Sequence, residues 1–199
     1  MIRYLISIFI LTLIASVLQL FSPEFASWSD ARIMILPLVF LCAAVTLDIA
    51  PMLALAFFCG FIWDAQNALA SAGGDESVYT QPAEVLRFGY SIFLYGAMGM
   101  LMHGIQPLFR MGKWQVSTLL SGIAIFLYLW AEYLLLTFIR GELIFPIEVL
   151  KKISYSAILC MLISPLIFLL LLALAKRFGH QIKYQGYVWT SRYITPKHL

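Results

Sequence analysis

The sequence predicts an all-α membrane protein, and three observations carry that prediction. Of its 199 residues, 62% are hydrophobic and only 12% are charged, and the mean hydropathy is +0.91. A soluble domain is about 45–50% apolar and about 25% charged. The apolar residues also fall in long runs with few polar interruptions, the pattern of helices that cross a bilayer. Finally, runs such as Leu5–Phe21 are apolar on nearly all sides, whereas a membrane β-barrel strand alternates apolar and polar. The length allows one membrane domain over residues 1–178. Six transmembrane spans are expected at about 5–21, 33–47, 52–70, 88–109, 114–139 and 153–175, followed by a basic cytoplasmic tail over 179–199.

The first span, Leu5–Phe21, follows only one basic side chain, Arg3. Its apolar run exceeds the roughly 7–15 residues of a signal-peptide core, so it reads as a retained anchor. Ser22–Asp30 is a short polar loop in which Trp28 suits an interfacial position. The second span, Ile33–Leu47, carries Pro37 in its first turns, where a missing N–H is tolerated. Asp48 to Pro51 then turn the chain, with Asp48 as a local cap or turn residue.

The third span, Met52–Ala70, is apolar almost throughout yet holds Asp64, with Gln66 and Asn67 close behind. It reads as the core helix around which the other spans pack. Ala56 and Gly60, four apart, give it a small face for close helix approach. Ser71–Arg87 is the longest polar segment inside the domain and reads as a loop. The fourth span carries Gly89, Gly96, Gly99 and Gly104, and Gly89 and Gly96 share a face seven residues apart. His103 near its end reads as a hydrogen-bonded structural residue. After the basic turn Arg110–Lys113, the fifth span places Glu132 near its far end. Gly141–Lys152 reads as an interfacial helix in which Pro146 occupies the first helical position, running directly into the sixth span. Pro165 predicts a kink there.

Charge orients the chain. With the N-terminus cytoplasmic, inner segments hold eight basic residues and outer segments five, the latter set against seven acidic ones. Both termini are therefore expected on the cytoplasmic side. In that orientation Asp64 lies about 20 Å up the third span and Glu132 about 27 Å up the fifth. A carboxylate inside a bilayer costs about 2.5–3.5 kcal/mol on insertion scales, so both are expected to face protein or water. They point to a shared outer-half polar cavity with Gln66, Asn67 and Tyr128. Two readings stay open: carboxylates hydrogen-bonded between helices to fix packing, or a contact with a ligand, a lipid or a partner helix.

Chemistry finds little foothold. There is no GxSG and no Ser/His pair placed for nucleophilic catalysis, and HExxH, P-loop and GxGxxG motifs are absent. Cys42, Cys59 and Cys160 all lie in apolar runs without CxxC spacing or a nearby His. They read as small buried hydrophobes, not as a disulfide or metal site. No catalytic residue, cofactor, metal or nucleic-acid partner is expected.

The order of features resembles the rod shape-determining protein MreD family. Three segments carry the resemblance: Leu18-Gln19-Leu20-Phe21-Ser22-Pro23 closing the first span, Gly60-Phe61-Ile62-Trp63-Asp64 near the end of the third, and Trp130-Ala131-Glu132-Tyr133 in the fifth. It covers about Leu5–Phe178, and the Ser71–Arg87 loop and the tail are longer than is usual in the family. The resemblance implies a compact six-span bundle similar to the substrate-binding subunit of energy-coupling-factor transporters, in the bacterial inner membrane. It implies a non-catalytic scaffold of the cell-elongation and peptidoglycan-synthesis machinery. The implied partners are an MreC-like single-span periplasmic protein, an MreB-like actin homologue, and the glycan polymerase and transpeptidase of elongation, alongside membrane lipids. Partner contacts would fall on Gly60, Gly89 and Gly96, with Asp64, Asn67 and Glu132 as candidate intramembrane polar positions. The alternative is a vitamin-binding subunit of an energy-coupling-factor transporter, although no Ala-rich docking motif for its transport module is present.

Overall fold

The computed structural model of the chain describes residues 2–25, 31–71, 88–105, 114–141 and 146–178. Trp28, the loop beyond Ser71, Glu84–Arg87, the basic turn Arg110–Lys113 and the tail beyond Phe178 lie outside them.

Among the described residues the protein is helical apart from one short antiparallel pairing. The elements are α1 (Ile2–Leu20), β1 (Glu24–Phe25), β2 (Ala31–Arg32), α2 (Ile35–Ala44), α3 (Ile49–Ser71), α4 (Tyr90–Gly104), α5 (Trp114–Arg140) and α6 (Ile147–Arg177). Helices α1, α3, α5 and α6 are long and apolar enough to cross a membrane. Their outward side chains are large and apolar, including Ile10, Phe57, Ile123, Leu162 and Leu169, as a lipid-facing surface requires. The chain is a multi-pass membrane protein.

Contacts give the direction of each helix. Tyr4 meets Thr46 and Gln19 meets Ile35, so α1 and α2 are antiparallel. Phe9 packs on Phe58 and Gln66 reaches Ser16, so α3 runs parallel to α1. Asp64 meets Gly89, and Met52 lies against Gly99, so α4 descends beside α3. Tyr128 packs on Tyr95 and Glu132 meets Trp63, so α5 ascends. Ser156 and Cys160 meet Arg32 and Met34 in turn, which aligns α6 with α2. Successive helices therefore alternate in direction.

The centre of the bundle is α2, not α3. All the other helices touch it, and nine of its ten residues are buried. It is also shorter than the span expected over 33–47. Ten residues make a helix of about 15 Å, half of a hydrocarbon core about 30 Å thick. The chain before it, Ala31–Met34, is extended. Irregular backbone at membrane depth is tolerated only where protein shields it and satisfies its polar groups. Here that accounting closes. The Met34 N–H donates to Cys160 Sγ (3.3 Å), and the Ile35 and Leu36 N–H groups donate to Gln19 Oε1 (2.6 and 3.4 Å). The next residue, Pro37, has no N–H, and Leu38 donates the first helical bond to Met34 O (3.1 Å). Each N-terminal donor that a helix normally leaves orphaned is thus matched or absent. Upstream, Arg32 N–H donates to Ser156 Oγ and Ser22 Oγ donates to Ile33 O. At the other end Tyr4 OH donates to Thr46 Oγ1, which itself donates to Ala43 O.

Two further prolines sit where their chemistry allows. Pro146 is the N-cap of α6, one position before the expected first turn. The helix begins at Ile147, so it takes in only 147–152 of the expected interfacial stretch, and continues through the sixth span. Pro165 lies inside it. It cannot donate to Met161 O, the carbonyl four residues back. Ser164 Oγ donates to that carbonyl instead, at 3.1 Å.

Candidate functional site

Asp64 lies 3% exposed near the far end of α3. Its Oδ2 accepts the N–H of Gly89 at 2.6 Å. Gly89 is the N-cap of α4, with φ at +101°, a conformation that a side chain disfavours. Gly89 was expected to supply a flat packing face, yet a Cβ built there meets nothing within 4 Å. Its role is conformational: it turns the chain into α4 and presents its N–H to a carboxylate, and a negative group at a helix N-terminus is favoured by the dipole as well.

Glu132 lies across from Asp64 on α5, half-buried. Its Oε1 accepts the Trp63 indole N–H at 3.2 Å. One turn earlier on the same face stands Tyr128, whose ring packs edge-on against Tyr95 of α4 with centroids 5.3 Å apart. Tyr95 packs in turn on Phe40 of α2. Both phenols are fully buried and both lie within electrostatic reach of Asp64 and Glu132. The two hydroxyls lie within hydrogen-bonding reach of each other. The polar cluster expected from Asp64, Glu132 and Tyr128 is therefore assembled between α3, α4 and α5.

One expected member is placed differently. Gln66 faces α1, where its Nε2 donates to Ser16 Oγ (2.6 Å) and Ser16 O (3.2 Å). It locks α3 to α1, because the two residue steps from Asp64 to Gln66 turn about 200° around the axis. Asn67 is half-buried at the same end of α3. Tyr95 is the member that sequence reading missed. Nothing in an isolated tyrosine within an apolar run distinguishes a packed ring from a site residue. His103, expected to be hydrogen-bonded, has a buried Nδ1 without a partner.

The glycines divide by neighbour. A Cβ on Gly60 would fall 2.5 Å from Ile92 Cα, so the small face of α3 is filled by the backbone of α4. It is not free for a partner, which corrects the expectation for Gly60. Gly99 lies against Met52 and Phe40, and Gly122 against Met161. Gly96 differs: a Cβ there meets nothing within 4 Å. Beside these, an open apolar groove of about 240 Å³ runs between α5 and α6, lined by Gly122, Phe126, Ala157 and Met161 among others. All three cysteines are buried free thiols. Among the described residues, no three His, Cys, Asp or Glu side chains converge to hold a metal.

Comparison with family models, with curated proteins and with solved structures finds no match to this chain.

Proposed function

We propose that this protein is a non-catalytic component of the bacterial cell-elongation machinery, a scaffold of the MreD type in the inner membrane. One observation carries the reading. The three segments that resemble the family, far apart in sequence, come together at one end of the bundle. Gln19 and Ser22 of the first segment hold the chain entering α2. Trp63 of the second donates to Glu132 of the third. The three segments thus each supply hydrogen bonds at the same end of the bundle. Such an arrangement serves positioning.

In this reading the six helices make six crossings in a compact bundle similar to the substrate-binding subunits of energy-coupling-factor transporters, with both termini cytoplasmic. The alternating directions of the helices support it, with α2 completing its crossing through the extended Ala31–Met34 segment. A single-span MreC-like partner docks on α4 around Gly96, whose open face admits a close helix. The actin-like partner and the elongation polymerase and transpeptidase join through the assembled complex.

Mild-detergent purification from native membranes, with mass spectrometry of stoichiometric companions, tests the proposal. A single-span protein with a periplasmic coiled coil, or the elongation synthases, is the expected companion. Gly96→Leu should deplete it while leaving membrane insertion intact. Paired ATPases with a membrane coupling subunit would replace the scaffold reading with that of a vitamin-binding transporter subunit.

A further inference from the structure

The groove between α5 and α6 grades from charged to apolar along one face of α6. Ser154, Ile158 and Met161 follow Lys151 by three, seven and ten residues, which keeps all four within about 80° of one another around the helix. Lys151 is exposed. Ser154, whose Oγ donates to Leu150 O at 2.8 Å, is the one polar residue among those lining the groove. Beyond it the floor is small, Gly122 and Ala157, and the walls of Phe126, Ile158 and Met161 are apolar.

Helix α6 also fixes the depth of this face. Lys152 and Lys176 bracket a run without charged residues. At 1.5 Å per residue that run is about 36 Å long, slightly more than a hydrocarbon core of about 30 Å. Lys151 therefore stands at the level of the headgroups, and the groove begins one turn deeper, among the acyl chains. Ile123 and Ile158 are exposed along it, so it opens toward lipid and not toward the bundle interior.

Size selects the occupant. The groove holds about 240 Å³ over a length of about 10–15 Å, which is seven to ten residues of helix. That is a cross-section of about 15–25 Å², far below that of a helix about 10–12 Å across. We propose that the groove holds one acyl chain of an anionic phospholipid whose phosphate lies against Lys151. The apolar channel alone would take the chain of any lipid. Charge complementarity picks the anionic headgroup, since one cation at the surface favours anionic lipid about fivefold. Glu148 stands one turn nearer the helix start and about 60° around from Lys151, on the side away from Ser154. The lysine is thus the charge above the groove.

Native mass spectrometry of the delipidated protein in mild detergent tests the site, by titration with phosphatidylglycerol and with phosphatidylcholine of the same acyl chains. The first phosphatidylglycerol should bind about fivefold more tightly than phosphatidylcholine. Lys151→Gln should bring the two lipids to equal affinity. Lys152→Gln removes the same charge about 100° around the helix and should keep most of the preference. Ser154→Phe fills the upper groove and should weaken both lipids. Equal affinity for the two lipids in the unaltered protein overturns the proposal, and so do equal losses in the two lysine variants, which would mean a diffuse surface attraction. A Ser154→Phe protein that loses a dimer while binding lipid undiminished would assign the groove to a second copy of this chain and overturn it too. Both lysines are exposed, so their variants decide the matter even where Ser154→Phe fails to fold.

Discussion

Individual side chains in this bundle act through their neighbours, and the glycines show it most directly. Gly60, Gly99 and Gly96 are the same residue in similar apolar surroundings, yet their substitution costs should rank in that order. Gly60→Ala drives a methyl into the backbone of α4, where only helix separation gives relief, so it should destabilise by about 1–3 kcal/mol. Gly99→Ala meets chiefly the Met52 sulfur, the far end of a flexible side chain, and should cost less. Gly96→Ala meets nothing and should be neutral or stabilising by up to about 1 kcal/mol, since alanine is the better helix former. Thermal unfolding of the three variants in one detergent checks the ranking. Asp64 makes a second case. Asp64→Ala leaves the part-buried Gly89 N–H without its acceptor and should cost about 1–3 kcal/mol, whereas Asp64→Asn keeps an acceptor oxygen and most of the stability. That Asp64 would be turned from lipid was legible from its charge. Its partner was not, because a backbone N–H bears no mark in sequence.

Among the elements, α2 bears the most constraint, since a short helix surrounded by protein has no solvent to finish its ends. Gln19 alone accepts two of its N-terminal donors. Gln19→Ala should therefore destabilise the protein by about 1–3 kcal/mol for each N–H left unmatched, more than truncating an equally buried apolar neighbour of similar size by its amide group alone. Hydrogen exchange localised to Ile35 and Leu36 would show the loss at its origin. The position of Pro37 near a helix start was legible from its chemistry. The helix length was not, since the run 33–47 is continuously apolar. Where that run stops being helical depends on Gln19, Ser156 and Cys160, two of them more than a hundred residues away.

The whole molecule is an alternating bundle, and that predicts which residues share a face of the membrane. Ile2, Ile49 and Arg177 lie at one end; Leu20, Gly89 and Ile147 lie at the other. Cysteines introduced at Arg3 and Arg177 should react with an impermeant maleimide from one side only, and one at Glu148 only from the opposite side. The native thiols should stay silent because all three are buried. The excess of basic residues is the ground for proposing that the Arg3 and Arg177 side is cytoplasmic. Labelling of Arg3 and Glu148 positions from the same side would refute the alternation.

Sequence by itself determined the solvent of this protein and the location of its helices. Long apolar runs have no other stable home than lipid, and each run must close its own backbone hydrogen bonds. It also singled out Asp64 and Glu132, because charge in such runs is costly enough to need a reason. Only the tertiary structure decided which helix lies at the centre, which glycines are filled and which is open, and that two tyrosine hydroxyls join the carboxylates. The physical reason is that lipid-facing and protein-facing apolar surfaces have the same composition. Inside a bilayer, hydropathy stops distinguishing core from exterior, and close packing and matched hydrogen bonds between distant residues take over that decision.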